Sequence, residues 1–198
     1  MVDQSKRTYP YFPLRAALSI AKPWLNQIVE IGGIRGGLTH PLHEFWHPCC
    51  NDGHSTYHLM GTGAKVLSID NNKPAHDLAV SQFGHDPRFE GICLDGLSLM
   101  ELYLGASIDF LFLDGLDINY NNSAKWHFDV FNAAQGSMSP KSFVLIDDSD
   151  VYAAHNDLYI TELLPGGKAS IIADKAESMG WQMIFTGRMT LYAKGFQQ

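Results

Sequence analysis

Five short apolar runs, each ending in glycine or an acidic residue, constrain the fold most strongly. They are QIVEIGG (27–33), KVLSIDNN (65–72), FEGICLDG (89–96), IDFLFLDG (108–115) and SFVLIDDSD (142–150). Runs that are apolar on both faces are typical of strands buried in a parallel sheet, and most segments between them have helical character. This alternation predicts an α/β protein with a doubly wound sheet.

The C-terminal part of the chain has a different pattern. KASIIADKAESMG (168–180) predicts a helix that Gly180 closes, and WQMIFTGRMTLYAK (181–194) has two apolar runs around Thr186-Gly187-Arg188. Two apolar runs about such a turn indicate an antiparallel hairpin. The sequence therefore predicts a seven-stranded, mostly parallel sheet with a C-terminal antiparallel hairpin.

Composition narrows the classes of function. The chain has 198 residues, of which 45% are hydrophobic, enough for one well-formed core, so we expect a single domain over 1–198. Its formal charge of −7 argues against nucleic-acid binding. Three cysteines, two of them adjacent, do not form a disulfide framework, and no stretch is long and apolar enough for a membrane span. We expect a cytoplasmic protein that binds neither nucleic acid nor membrane.

Acidic residues recur at the predicted strand ends. In open parallel sheets, ligands bind beyond the carboxyl ends of the strands, where the strand order reverses. Any one aspartate there is equally well explained as a turn former or helix cap, but the series is better explained by a ligand rich in hydroxyl and amino donors. The strand-end residues are Glu30, Gly32, Asp70, Asp95, Asp114, Asp147 and Asp148.

The spacing fits a nucleoside ligand. Asp70 ends the second strand, where a carboxylate can accept hydrogen bonds from both ribose hydroxyls. The first turn, EIGGIRGG (30–37), lacks the dinucleotide pattern G-x-G-x-x-G. Without a helix directly after it, this turn is poorly arranged for a pyrophosphate but leaves room for a bulky, positively charged group. The turn therefore argues against an NAD-dependent oxidoreductase.

Taken together, these motifs resemble the class I S-adenosylmethionine-dependent methyltransferases. IVEIGGIRGG resembles their first motif, VLSID their ribose-binding strand end, GICLDG the third strand, IDFLFLDG the fourth, and GWQMIFTGRMTLYAK the final hairpin. The similarity covers residues 27–194. It implies a Rossmann-like methyltransferase fold that binds S-adenosylmethionine, with Asp95 facing the adenine.

One subgroup is more similar, the metal-assisted O-methyltransferases of small molecules. In it a strand end E-x-G-x-x-R is followed, after an insertion, by a helix start D-G-x-S-T. The resemblance implies an N-terminal helical extension over 1–26 and an insertion over 34–52 within the first cofactor motif. It also implies that the first motif supplies these cofactor-binding residues: Glu30, Gly32, Gly33, Asp52, Gly53, Ser55 and Thr56.

The same subgroup holds a divalent cation on carboxylates that end the fourth and fifth strands. The matching residues are Asp114, Asp147 and Asp148. Carboxylates that converge beside a ligand repel one another unless a hard cation such as Mg²⁺ neutralises them, and that cation could lower the pKa of the acceptor oxygen. The alternative is that the pair after the fifth strand only shapes a solvated loop.

The catalytic base is a point of departure from the subgroup. Similar enzymes often have a histidine shortly after the fourth-strand aspartate, whereas this chain reads DGLDINY, with Asp117 there. Asp114 and Asp117 are the predicted catalytic residues, although a carboxylate with an ordinary pKa is a weak base for a hydroxyl. His127 and His155 could supply an imidazole, but a helix surface or a loop is the simpler expectation for them.

The segment HPLHEFWHPCCNDGHSTYH (40–58) raises the question of zinc. It contains His43-Glu44-Phe45-Trp46-His47, an H-E-x-x-H motif, yet Pro41 and Pro48 leave little more than one helical turn. A structural zinc site among its histidines and cysteines lacks a standard ligand spacing. We interpret its first two thirds as the insertion, beside the cofactor or acceptor pocket, and its last third, from Asp52, as the displaced second half of the first cofactor motif, with zinc as a remote alternative.

The sequence thus predicts methyl transfer from S-adenosylmethionine to an oxygen of a small hydroxylated acceptor, with Mg²⁺ as an optional cofactor. A catalytically inactive cofactor-binding module, or a partner subunit of an active enzyme, is the alternative. A homo-oligomer is compatible with the sequence, which does not identify the acceptor.

Overall fold

A computed structural model describes residues 12–33, 54–102, 107–116, 122–149 and 167–196. Seven strands form one sheet in the order β3-β2-β1-β4-β5-β7-β6. Their bounds are Gln27–Ile31 (β1), Lys65–Ile69 (β2), Phe89–Ile92 (β3), Ile108–Leu113 (β4), Met138–Ile146 (β5), Gln182–Phe185 (β6) and Thr190–Lys194 (β7).

The topology confirms the predicted sheet. Strands β1 to β5 pair in parallel, whereas β7 pairs antiparallel with both β5 and β6. From β1 the chain builds outward through β2 to β3, and then crosses back to place β4 on the other side of β1. The strand order therefore reverses between β1 and β4, which is where an open α/β sheet forms its ligand crevice.

Six α-helices accompany the sheet within the described ranges. They are Phe12–Ala21 (α1), His54–Met60 (α2), Lys73–Phe83 (α3), Gly96–Leu102 (α4), Ser123–Ala134 (α5) and Ser170–Lys175 (α6). Local signals set several of their ends. Asn72 caps α3 by accepting a hydrogen bond from the Ala75 amide, and Pro23 lies in the 3-10 turn that ends α1.

The core forms two layers, one on each face of the sheet. Ile28 and Phe110 face the layer that contains α1, α2 and α3, whereas Val29 and Leu111 face the layer that contains α4, α5 and α6. Successive residues of a strand point to opposite faces, so burial on both faces requires a continuous apolar run. The burial of β4 along its whole length is what its sequence IDFLFL predicts.

The C-terminal helix departs from the prediction in its length. The segment begins with a 3-10 turn at Gly167–Ala169, continues as α6, and ends with a second 3-10 turn at Glu177–Met179. Gly180 ends it as predicted, with a φ of 81° and a hydrogen bond from the Trp181 amide to the Ala176 carbonyl. Among the helices described, none combines the length and apolarity needed to cross a membrane.

Candidate functional site

The carboxyl ends of the central strands lie at one edge of the sheet. The strand pairing continues one residue beyond each strand, because the Asp114 amide donates to the Ile31 carbonyl (2.8 Å) and the Asp147 amide donates to the Leu113 carbonyl (3.0 Å). In the same way, the Asp70 amide donates to the Ile92 carbonyl (3.2 Å). The predicted strand-end aspartates therefore share one edge, around the point where the strand order reverses.

Gly32 allows β1 and β4 to approach closely at this edge. Its φ is 89°, and a Cβ atom there would lie 2.3 Å from the Asp114 carbonyl oxygen. An L side chain would meet both backbone strain and a collision with main-chain atoms. The glycine predicted from the first motif is thus required by the close approach of the two strand ends.

Asp70 is held in place by two backbone amides. Gly33 donates to Asp70 Oδ2 (2.8 Å), and the Asn72 amide donates to Oδ1 (2.7 Å). A carboxylate oxygen has two lone pairs, so each oxygen can still accept a second hydrogen bond. The first glycine turn and the end of β2 are therefore joined directly, and Asp70 has a fixed orientation beside Gly33.

Glu30 lies fully buried behind the crevice, in a cluster of hydroxyl groups. Ser55 donates to its Oε1 (2.9 Å), whereas Thr56 and Ser68 both donate to Oε2 (2.8 Å each). Burial raises the pKa of Glu30 to about 7, although the three hydroxyl hydrogen bonds oppose the rise. Glu30, Ser55 and Thr56 were predicted as one motif, and the structure brings them together as a link between β1, β2 and α2.

Asp95 caps α4. Its Oδ2 accepts hydrogen bonds from the Ser98 amide (2.9 Å) and the Ser98 hydroxyl (3.1 Å), and its carbonyl accepts one from Leu99 (3.0 Å). This is the N-cap role that any strand-end aspartate could have. The cap occupies Oδ2.

Asp114, Asp147 and Asp148 form the acidic cluster that the sequence predicts. One carboxylate oxygen from each lies within 4.8 Å of the others. Asp148 adopts a φ of 46°, a left-handed conformation that aspartate tolerates better than most residues. The adjacent bonds fix this conformation, because the Ser149 amide donates to the Arg188 carbonyl (2.8 Å) and the Lys168 amide to the Asp148 carbonyl (3.1 Å).

Two basic side chains contact this cluster. Lys168 Nζ lies 3.0 Å from Asp114 Oδ1 and 3.0 Å from Asp148 Oδ2. Arg188 contacts both oxygens of Asp147 (3.1 and 3.3 Å), and its Nη2 lies 2.8 Å from Asp148 Oδ1. Only 2% of the Lys168 side chain is exposed, against 41% of Arg188. The acidic cluster is therefore an ion-pair network with one buried and one half-exposed cation.

The ion pairs decide the charge states in this network. Burial alone would lower the pKa of Lys168, but the carboxylates of Asp114, Asp148 and Asp147 outweigh it and hold the pKa above its ordinary value. Burial alone would raise the pKa of Asp148, but Lys168 and Arg188 outweigh it and the pKa is lowered. The ammonium and the Asp148 carboxylate are thus both charged near neutral pH.

His127 is buried, whereas a helix surface was the simpler expectation from sequence. Its Nδ1 lies 2.7 Å from the Ser123 carbonyl oxygen, which fixes Nδ1 as the donor in the neutral ring. Within the described part of the chain, Nε2 has no hydrogen-bond partner. Burial, together with the charge of Lys168, lowers the pKa of His127 to about 3. A neutral imidazole without exposed surface is not placed to contact an acceptor directly.

Several predicted residues lie outside the described ranges. They are Asp52, Gly53, Asp117, His155 and the histidines and cysteines between residues 40 and 50. In contrast, the prediction missed Lys168 and Arg188, which lie in a 3-10 turn and between β6 and β7. The two glycines directly before Lys168 were the available signal, because small residues allow a close approach of the backbone.

Comparison with solved structures identifies the fold. An O-methyltransferase from Bacillus cereus, in complex with SAH, has a TM-score of 0.60 at 18% identity, covering 98% of this chain and 81% of that one. N-methyltransferase NodS from Bradyrhizobium japonicum WM9 has a TM-score of 0.59 at 12% identity, covering 92% of each chain. The methyltransferase MycE from the mycinamycin biosynthetic pathway, in complex with Mg and SAH, has a TM-score of 0.59 at 13% identity, covering 93% of this chain and 49% of that one.

At these low identities, the comparisons establish the fold and leave the reaction open. No family model and no curated protein sequence matches the chain. The seven-stranded, mostly parallel sheet and its C-terminal hairpin agree with the arrangement that the sequence motifs predicted. The chain has the Rossmann-like fold of the class I S-adenosylmethionine-dependent methyltransferases, and it resembles their O-methyltransferase members in structure.

Proposed function

We propose that the chain is a single-domain enzyme that transfers a methyl group from S-adenosylmethionine to an oxygen of a small hydroxylated acceptor. One observation carries the proposal. At the reversal point of a methyltransferase fold, an obligatory glycine (Gly32), an oriented carboxylate (Asp70) and a partly exposed carboxylate (Asp114) lie at the same edge of the sheet. This is the place where open α/β sheets bind their ligands.

The cofactor assignment follows the positions of these residues. Gly32 lets the ends of β1 and β4 approach closely beside the crevice, and the spare lone pairs of Asp70 suit the ribose hydroxyls. We assign Asp95 to the adenine through Oδ1, because Oδ2 is occupied by the helix cap. Glu30 supports the site from behind through its hydroxyl cluster. SAH is bound in two of the similar structures, which supports the same ligand class here.

The acceptor chemistry rests on the carboxylates. S-adenosylmethionine supplies an electrophilic methyl carbon, and the acceptor oxygen has to lose its proton as the new bond forms. We assign this proton to a carboxylate of the fourth-strand end, Asp114 or Asp117. The similar structures include both O- and N-methyltransferases, so oxygen as the acceptor atom rests on these carboxylates. A small acceptor agrees with the biosynthetic pathway named for MycE.

Whether the three carboxylates could bind Mg²⁺ depends on the groups that they already contact. Asp114, Asp147 and Asp148 would hold a divalent cation, as the sequence predicts, and their oxygens are close enough to do so. In the structure, however, Lys168 and Arg188 contact oxygens of all three carboxylates. The residues as arranged do not fit a divalent ion, since its ligands are already paired with cations. No step is assigned to the metal, and Mg²⁺ stays a prediction from the sequence.

Isothermal titration with SAH tests the proposal. We expect saturable binding to the wild type and at least a roughly tenfold weaker affinity for Asp70→Ala, because the ribose would lose a charged acceptor. Asp77→Ala is the matched control, since Asp77 is an exposed aspartate on α3 paired with Lys73. If the wild type fails to bind either SAH or S-adenosylmethionine, the proposed function is wrong.

Turnover distinguishes the enzyme from an inactive cofactor-binding module. The pure protein, with S-adenosylmethionine and a panel of sugars, phenols and catechols, should form SAH with at least one acceptor. Tight SAH binding without turnover on any acceptor, and with no gain when a partner protein is added, would favour the inactive module.

A further inference from the structure

We propose that Lys168, together with Arg188, provides the positive charge that the acidic cluster requires, so that this site works without a divalent metal ion. The cluster comprises Asp114, Asp147 and Asp148. The inference concerns the charges at this edge of the sheet and can be tested without any catalytic assay. Its consequence for the reaction rests on the proposed function.

The carboxylate oxygens of the cluster already contact cations of the chain. Both oxygens of Asp147 and both of Asp148 contact a nitrogen of Lys168 or Arg188, as does Oδ1 of Asp114. A divalent ion bound by the same carboxylates would have to replace these contacts. Mg²⁺ also demands a near-ideal octahedron of oxygen ligands, which paired carboxylates cannot readily rearrange to give.

Lys168 and Arg188 also supply as much positive charge as a divalent ion would. One ammonium and one guanidinium together carry the charge of one divalent ion. Among the residues that the structure describes, they leave the three carboxylates with the same net charge that a bound Mg²⁺ would leave. The repulsion between converging carboxylates, which makes a metal attractive at such a site, is therefore already offset by groups of the chain itself.

Lys168 is buried and held in this position by its own backbone. Its side chain is 2% exposed, and its backbone amide donates to the Asp148 carbonyl (3.1 Å). Gly167 precedes it with a φ of 50°, and the turn packs against α5. A buried lysine is rarely stable without ionic partners, so Asp114 and Asp148 are what permit its burial. The contact is thus unlike an exposed ion pair, whose side chains are free to separate.

In the proposed reaction, Lys168 would be a positioning residue. It would hold the Asp114 and Asp148 carboxylates in fixed orientation beside the crevice, as a permanently bound cation. The proton of the acceptor would then pass to a carboxylate without activation by a Lewis acid. The acceptor oxygen would form a bond to the methyl carbon as the C–S bond of S-adenosylmethionine breaks and its electron pair stays on sulfur, so the step needs no further reactant.

Titration of the full chain with Mn²⁺, followed by the electron paramagnetic resonance of free Mn²⁺, tests the inference. We expect no saturable site in the wild type up to about 1 mM Mn²⁺, a range in which carboxylate clusters bind divalent ions. Lys168→Met removes the charge and keeps much of the apolar stem. We expect this variant to gain one Mn²⁺ site, with affinity at least about tenfold above that of the wild type.

Thermal unfolding provides the second measurement. Lys168→Met leaves three carboxylates with one cation, so its melting temperature should fall without metal and recover when Mn²⁺ is added. Lys168→Arg keeps the charge and should not gain the metal site. Lys73→Met is the matched control, because Lys73 has a single exposed partner, Asp77, at 2.8 Å. In this control, Mn²⁺ binding and the effect of Mn²⁺ on the melting temperature should be the same as in the wild type.

Two results would overturn the inference. One is saturable Mn²⁺ binding by the wild type that Asp147→Asn removes. The other is a folded Lys168→Met variant that gains no site. If neither Lys168 variant folds, the wild-type titration decides alone, because binding at the cluster overturns the inference and its absence supports it. SAH binding is measured on the same samples, so failure of the proposed function is seen separately.

Discussion

The buried carboxyl of Glu30 predicts a specific dependence of stability on pH. Its pKa is raised from 4.5 to about 7 in the folded protein, chiefly by burial. A raised carboxyl pKa means that the folded state favours the protonated form, so stability is lost as pH rises from about 4.5 through 7. Each pKa unit corresponds to about 1.4 kcal/mol, so the loss amounts to about 3 kcal/mol by pH 8.

The substitution Glu30→Gln isolates this contribution. Glutamine keeps the shape and an oxygen acceptor for Ser55, Thr56 and Ser68, and it does not ionise. Between pH 4.5 and pH 8, the variant should gain about 3 kcal/mol relative to the wild type. For a chain of this length, that corresponds to a relative rise in melting temperature of roughly 6–12 °C.

Thermal unfolding followed by circular dichroism at constant ionic strength measures this difference. The effects of other titrating groups cancel, because each pH compares the variant with the wild type. Asp77→Asn is a control of opposite sign, since the hydrogen bond from Lys73 lowers the pKa of Asp77. It should gain no stability relative to the wild type as pH rises. A difference for Glu30→Gln that stays constant across this pH range would refute the argument.

Substitutions at three further residues test other parts of the structure. Gly32→Ala should cost about 1–3 kcal/mol in chemical denaturation, because of the φ of 89° and the contact with the Asp114 carbonyl; an unchanged free energy of unfolding would contradict the described turn. A His127 pKa of about 3 costs the wild type stability as pH falls below 6.5, and His127→Gln removes this cost. The free energy of unfolding of the variant, relative to the wild type, should therefore be about 2 kcal/mol higher at pH 5 than at pH 7.5, as calorimetry at both pH values can show. Asp95→Ala should lose about 1 kcal/mol with its helix cap, and Asp95→Ser should recover most of that loss in the same unfolding assay while still weakening SAH binding.

The sheet could be predicted because its signals are local. A strand buried on both faces is mostly apolar, and the acidic residue that follows it lies at the carboxyl edge. These rules place Asp70, Asp114 and Asp147 at one edge before any contact is known, and the structure agrees. The hairpin is equally local, since two apolar runs around a short polar turn can pair only with each other or with a neighbouring edge.

The cations of the site could not be predicted in this way. Lys168 is separated from Asp114 by 54 residues, and Arg188 from Asp147 by 41. Both lie in turns, whose positions depend on how the last helix and hairpin pack against the sheet. The burial of His127 could not be predicted either. The pattern indicates that this residue lies on a helix, but its burial depends on which face of the helix packs against the sheet.

Two carboxyl groups at the carboxyl ends of central strands illustrate why residue type and position do not fix chemistry. Glu30 and Asp148 are both largely removed from water, and burial alone would raise the pKa of each. The hydroxyls around Glu30 are neutral and offset the effect of burial only in part, so its pKa stays raised, at about 7. Lys168 and Arg188 surround Asp148, so its pKa is lowered and the carboxylate stays ionised. Carboxyl groups in similar positions therefore differ in charge: Glu30 on β1 has a raised pKa, whereas Asp148 after β5 is a carboxylate. The difference comes from Lys168 and Arg188, which lie in turns far away in the sequence.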